Sequence, residues 1–417
     1  MKRFYLLLLI LTAFLSCSLV NPKVIPDKNL AAAVRERLGL APNEPILEKD
    51  LRELNILVIA DKGVKNLTGL EKAANLRMLW LEQNEITDIS PLADLTELDR
   101  LMLSKNKIED ITPLANLTQL AHLELGSNEI SDITPVANLT QLTHLGLDNN
   151  EISDITPIKG LKQLTGVLLR NCQITDLTPL AEMTQLTILS LQRNKITDIT
   201  PIAELTQLKT LLLTANHIRD MTPIARLTHL ESLFIERHQI KDITFCSELK
   251  ELISLLLTGG HISDITPLSG LKHLSQLNLM SNEISDISPL TELTNLKNLL
   301  LAGNQISDIS PLTGLVNLEG LYLNVNQISD ISPLAGLANL KNLLLENNQI
   351  SDISPLTGLT ELMVLMLGGN QISDISVLGN LKNLRYLYLQ KEQIQNMKSI
   401  PELRKQMPNL QIIESNY

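Results

Sequence analysis

The sequence predicts an α/β solenoid with short parallel strands on a concave sheet face and short 3₁₀ or helical returns on the convex face. Three observations predict it: a 22-residue period, apolar residues at fixed places within that period, and an asparagine where most of the apolar alternations end. Counting from Leu51, windows begin at 73, 95, 117 and so on to 381. Residues 51–402 thus form sixteen windows with no insertion. A chain of 417 residues would otherwise suggest two or three globular domains. Repeats escape that expectation because each coil contacts only its neighbours.

The segment Leu293 to Gly314, LTNLKNLLLAGNQISDISPLTG, shows one window. Apolar residues occupy positions 1, 4, 7, 9, 14, 17 and 20. Positions 7 and 9 alternate with variable positions 6, 8 and 10, the pattern of a half-buried strand. Position 12 is Asn at 84, 106, 128, 150, 194, 216, 282, 304, 326, 348 and 370. A carboxamide there can donate to and accept from backbone groups that a turn leaves unpaired, so stacked asparagines form a ladder. Asp follows at position 16 and Pro at position 19, a pairing suited to opening a short 3₁₀ or helical return. No coil could bury its leucines alone, so the array is expected to fold as a stack.

Composition narrows the function. Net charge is −11 and no run of five or six Lys or Arg occurs, which argues against nucleic acid and against direct attraction to anionic lipid. Three cysteines, Cys17, Cys172 and Cys246, are too few for a disulfide framework and fit no zinc spacing. Cys172 falls on the ladder position and Cys246 on core position 20, both read as buried, reduced thiols.

Met1-Lys2-Arg3 followed by the apolar run Phe4 to Leu15 reads as a signal peptide over 1–16, too short to span a bilayer. Its end, Leu15-Ser16-Cys17, resembles a bacterial lipobox. That resemblance implies lipidation at Cys17 and a membrane-anchored protein of the cell envelope; ordinary cleavage nearby would instead make the chain secreted or periplasmic.

The repeats resemble those of the internalins, bacterial surface proteins with a leucine-rich-repeat horseshoe that grips other proteins. The residues Ile25-Pro26-Asp27-Lys28-Asn29-Leu30-Ala31-Ala32-Ala33-Val34, then Leu47 to Leu51, are similar to the internalin helical cap. They place an N-terminal helical cap over 22–50. Bottom-up, they form an Asp-started amphipathic helix of about three turns covering the end of the leucine core. Residues 397–417 read as a C-terminal cap with a last strand at Leu410 to Ile413. No immunoglobulin-like domain, cell-wall sorting motif or carboxy-terminal repeat modules are recognised, so host-cell invasion is not carried over with the fold.

Seven aromatic residues follow the signal segment, and five of them (Trp80, Phe234, Tyr322, Tyr386, Tyr388) sit at positions 6 or 8. Position 8 also reads Leu212, Phe234, Leu256, Asn278, Leu300, Tyr322, Leu344, Met366, Tyr388, a nearly continuous apolar stripe expected to be exposed. Such patches mark partner surfaces. The alternative is that β-favouring side chains cover one another along the sheet. Trp80, Leu212, Phe234, Leu256, Leu300, Tyr322, Leu344, Met366, Tyr386 and Tyr388 are therefore the candidate partner-binding residues. Coils two to nine carry charges on this face, including Glu82, Arg100, Glu124, Asp148 and Glu236, whereas later coils are mostly neutral.

The ladder and return patterns break around His238, Gly260 and Phe245, read as a tolerated seam or a specialised contact region. His122 and His144 fall on adjacent coils and could hold a metal, and the Asp ladder could suggest calcium. Variable surface residues and capping explain both without an ion, so no metal and no cofactor is expected. No phosphate-cradling glycine loop or nucleophile elbow occurs, and the chain is not expected to be an enzyme. The expectation is a monomer that binds protein on its concave face. A glycan-binding adhesin and an intracellular scaffold resembling the phosphatase-regulating leucine-rich-repeat proteins are the rival readings.

Overall fold

The computed structural model describes residues 24–236 and 240–414. The expected signal segment, Cys17, His238 and Tyr417 lie outside the described residues. Two compact units divide the chain, Met1–Glu151 and Ile152–Tyr417. The first contains parallel strands β1 (Ile56–Val58), β2 (Met78–Trp80), β3 (Arg100–Met102), β4 (His122–Glu124) and β5 (His144–Gly146). The second contains β6 (Gly166–Leu168), β7 (Ile188–Ser190), β8 (Thr210–Leu212), β9 (Ser232–Glu236), β10 (Ser254–Thr258) and β11 (Gln276–Asn278). It continues with β12 (Asn298–Leu300), β13 (Gly320–Tyr322), β14 (Asn342–Leu344), β15 (Val364–Met366), β16 (Tyr386–Leu389) and β17 (Gln411–Glu414). Between successive strands the chain returns through a 3₁₀ turn of three to five residues. This is the leucine-rich-repeat solenoid that the period predicts.

The apolar positions fill the interior. In the coil that starts at Leu293, residues Leu293, Leu296, Leu299, Leu301, Ile306, Ile309 and Leu312 are each at most 1% exposed. Strand pairing repeats every 22 residues, so Leu299 faces Leu321 across the β12–β13 ladder. Leucine therefore stacks on leucine, and each coil completes the core of the next.

Strands are short because position 11 takes a left-handed backbone. Gln83, Lys105 and Ser127 have φ 58, as do Ser281 and Val325, while Gly303 and Gly369 hold the same place with φ 68 and 71. Such a residue cannot continue a strand, and it leaves nearby backbone groups unpaired. The position-12 asparagine satisfies them. Asn304 Nδ2 donates to Leu279 O at 3.0 Å and Leu301 O at 2.9 Å, and its Oδ1 accepts from Ile284 N at 3.0 Å. A second ladder, at position 3, was not singled out from sequence. Asn295 Nδ2 donates to Lys272 O and Asn317 Nδ2 to Thr294 O, both at 2.8 Å, tying each return to the preceding one.

Val325 is the one β-branched residue among the described left-handed positions and is half exposed. Its Cβ crowds the following carbonyl at positive φ. Val325→Asn is expected to raise the unfolding free energy by about 1 kcal/mol, because asparagine tolerates this conformation. Urea unfolding would measure it; an unchanged or lower midpoint would show that no strain resides there.

At each return the aspartate acts as a turn-former. Ser310 N donates to Asp308 Oδ1 at 2.8 Å and Ser310 Oγ to Oδ2 at 3.0 Å, just ahead of the 3₁₀ turn Ser310–Leu312. The backbone N–H of Ser310, then its hydroxyl, hold the Asp308 carboxyl below the ordinary aspartate range. Each oxygen of the Asp308 carboxylate thus has a protein donor.

The ends differ from the coils. Helix α1 (Lys28–Leu38) is capped by Asp27, whose Oδ1 accepts from Asn29 N and Leu30 N at 2.9 and 3.0 Å. Its Oδ2 accepts from Lys65 N and Asn66 N, so one carboxylate joins α1 to the first coil. Gly69 has φ +100, and a Cβ there would lie 2.1 Å from Val24 O, so only glycine fits this approach. A short helix α2 (Glu48–Leu51) leads into β1. After β16 the return becomes two helices, α3 (Lys391–Asn396) and α4 (Ile400–Gln406). Tyr386 consequently pairs with Gln411, an offset of 25 residues instead of 22. At the seam, β9 and β10 each run to five residues instead of three.

Candidate functional site

Side chains at positions 6, 8 and 10 point away from the leucine core, onto the outer face of the sheet. Within the second unit, strand register places Leu212, Phe234, Leu256, Asn278, Leu300, Tyr322, Leu344, Met366 and Tyr388 side by side in that order. The stripe is therefore real as a spatial row. The exposure expected of it is only partial: every one of these residues is half-buried, because strands about 4.8 Å apart make neighbouring side chains cover one another. Tyr386, beside Tyr388, is more open at 41% exposure.

Asn278 interrupts the row, and there the face sinks into a depression of about 300 Å³. Phe234, Leu256, Leu300 and Tyr322 form its apolar walls. Ser254, Gln276 and Asn298 add neutral polar groups. Asn278 Oδ1 accepts from Met280 N at 3.1 Å, which turns the carboxamide along its own strand. Gly320 shapes one wall: a Cβ there would lie 2.5 Å from Asn298 Oδ1 and 3.3 Å from the Tyr322 ring. Its missing side chain lets both neighbours lie over the strand. Ser254, Gln276, Asn298 and Gly320 were not nominated from sequence, although the break at Asn278 was visible there.

In the first unit the same row reads Val58, Trp80, Met102, Glu124, Gly146. Trp80 is half-buried, and its Nε1 is buried without a hydrogen-bond partner. Val58 is 53% exposed and Ile56 42%, so β1 presents apolar surface that sequence reading did not assign.

Glu124 is the distinctive group of this face. It overlies Gly146, where a Cβ would stand 1.8 Å from its Oε2. Burial, then the carboxylates of Asp148 and Glu82, push its pKa up to about 7. His122 Nε2 lies 3.3 Å from Glu124 Oε1, and the His122 ring stacks on His144 at 5.1 Å. Burial first, then the charges of His144 and Arg100, hold the His122 pKa below the usual histidine range. With the imidazole pushed towards its neutral form, this contact is not an ion pair of two full charges at neutral pH. Among the described residues, no group of three or more His, Cys, Asp or Glu is arranged to hold a metal.

This geometry carries a pH prediction. The folded pKa of Glu124 is raised above its unfolded value, so ionisation costs stability as pH rises from about 4.5 through about 7. Glu124→Gln is expected to stabilise the first unit by about 2 kcal/mol at pH 8, discounted for partial solvent access, and by almost nothing at pH 4. Equal stabilisation at both values would assign the gain to packing instead of charge.

Cys172 and Cys246 are both buried thiols outside any disulfide. Burial pushes the Cys246 thiol well above its ordinary pKa, which leaves it protonated and unreactive. No helix among the described residues is long and apolar enough to cross a membrane.

The leucine-rich-repeat family models match residues 74–116, 118–160, 162–204 and 294–336 as paired copies, and a further leucine-rich-repeat model matches 338–394. A search of curated proteins finds no match. Among solved structures, the internalin inlF of Listeria monocytogenes is 38% identical, with 82% of this chain and 95% of that one aligned at a TM-score of 0.68. The functional domain of InlJ from Listeria monocytogenes is 25% identical, over 88% of this chain and 79% of that one, with a TM-score of 0.75. A leucine-rich-repeat protein of Leptospira interrogans, at 24% identity, shares the fold over 88% of this chain and 97% of its own, with a TM-score of 0.70. With these repeats, this core and this breadth of match, the chain belongs to the internalin-like leucine-rich-repeat proteins.

Proposed function

We propose that the protein is a non-enzymatic binding module of the bacterial cell envelope that holds a protein partner on the outer face of its sheet in the unit Ile152–Tyr417. The observation that carries this reading is the in-register row from Leu212 to Tyr388, where eight of nine side chains are apolar and all are only half covered. A solenoid needs leucine inside, but nothing in the coil requires Tyr322, Met366 or Tyr388 outside. Half-covered apolar surface that spans many strands is surface that a partner can finish burying. Trp80 and Tyr386 extend the same chemistry. Export and lipidation at Cys17, which would anchor the protein to a membrane, rest on the sequence Met1 to Cys17.

The test is site-specific photo-crosslinking in the native cell, with the probe at Tyr322 and a control probe at exposed Glu292. A discrete protein adduct from Tyr322 alone is the expected outcome. Equal labelling from both sites, or a soluble oligosaccharide that competes for the ligand, would overturn the reading. The mass of the purified protein reports in the same cells whether residues 1–16 are removed; their retention would favour an intracellular scaffold.

A further inference from the structure

We propose that the depression over Asn278 is the specificity pocket of this face, and that it receives one bulky, uncharged apolar side chain from an extended segment of a partner protein. The inference rests on the protein-binding reading and narrows it to one site and one chemistry. The row is apolar on both sides of Asn278, so the break is local. At that break, four apolar side chains border an open depression of about 300 Å³, enough for a single large side chain. None of the lining residues is charged in a protein whose net charge is −11. A charged anchor seated there would be desolvated with no counter-charge, so the complementary group is neutral. The amides of Gln276 and Asn298 suit the backbone that flanks such an anchor, because each offers both donors and an acceptor.

Gly320 contributes by omission. It allows the Asn298 carboxamide and the Tyr322 ring to lie over β13, so two lining groups depend on one missing methyl. From β9 to β16 the face spans roughly 34 Å, which matches about ten residues of extended chain lying across the strands. Phe234 and Tyr322 are both half-buried by their neighbours instead of presenting open ring faces, which favours a side-chain anchor over a stacked sugar.

The test uses a displayed library of random nine-residue peptides selected on the full chain. Selected peptides are expected to share a bulky uncharged apolar residue with uncharged flanks. Asn278→Phe, which fills the depression and makes the row continuously apolar, is expected to weaken them by about tenfold or more. Gly320→Ala, which displaces Asn298 and Tyr322, should weaken them in the same direction and serves if the Phe variant does not fold. Peptides with a charged anchor, or binding unchanged in both variants, would overturn the pocket. If those peptides were nevertheless lost on changing Tyr322, Leu344 and Tyr388 to Ser, the face would still be the binding surface; if they survived that change too, both readings fail. A library that yields no binder, beside a neutral oligosaccharide that binds and is lost in Asn278→Phe, would reassign the pocket to sugar. A library that yields none and no such oligosaccharide would overturn the peptide occupant outright.

Discussion

Asn304→Ala is expected to lower the unfolding free energy by about 3 kcal/mol, although it removes no leucine from the core. The carboxamide donates to Leu279 O and Leu301 O and accepts from Ile284 N, and the residue is 9% exposed. Alanine orphans Ile284 N in a place water cannot readily enter and takes one of two asparagine donors from each carbonyl, leaving Leu279 O to Asn282 and Leu301 O to Asn326. The orphaned N–H costs about 1–3 kcal/mol and each of the two lost bonds about 0.5–1.5 kcal/mol, with some relief from local relaxation. Asn304→Asp should be at least as damaging, because a carboxylate cannot donate to the two carbonyls. The neighbouring Gln305 is exposed, and Gln305→Ala should shift stability by less than about 0.5 kcal/mol. Urea unfolding and amide exchange at Ile284 would measure the difference. If Asn304→Ala and Gln305→Ala behaved alike, the ladder would be decoration and the solenoid would stand on leucine packing alone.

Changing Tyr322, Leu344 and Tyr388 together to Ser is expected to weaken the partner captured at this face by about 100-fold or more while leaving the fold intact. The three belong to the outer row, whereas the core residues of their strands, Leu321, Leu343 and Leu387, are fully buried and untouched. Truncating a central anchor of an interface costs about 2 kcal/mol or more. Three such truncations, even with strong non-additivity, exceed the roughly 2.7 kcal/mol that a 100-fold change in affinity requires. Titration of the crosslinked partner against the purified variant provides the measurement. Undiminished binding by a variant with the wild-type unfolding midpoint would remove this face from the function.

Much of this was legible in the sequence because its rules are local and repeated. A period of 22, alternation around positions 7 and 9, Asn at 12 and Asp at 16 each recur at a fixed offset along the chain. Side-chain direction in a strand follows from sequence parity, so the row that contains Phe234, Tyr322 and Tyr388 could be named before any coordinates. The left-handed position 11 was not legible. Lys105, Ser127, Val325 and Gly303 share that backbone and nothing in their chemistry, since the turn is imposed by the coil around them.

The sequence by itself determined the coil, its core and which side chains share the outer face, because the repeat encodes contacts between positions that differ by one period. Only the tertiary structure decided how open that face is, where it sinks and which groups on it titrate. Tyr322 is half covered because strands stand close together. The depression exists because Asn278 lies between Leu256 and Leu300. Glu124 is driven up because Gly146 on the next strand leaves room for it while Asp148 and Glu82 stand near. Each of these depends on what the adjacent coil presents at that point, and van der Waals contact and desolvation act across coils, where no local pattern along the chain records them.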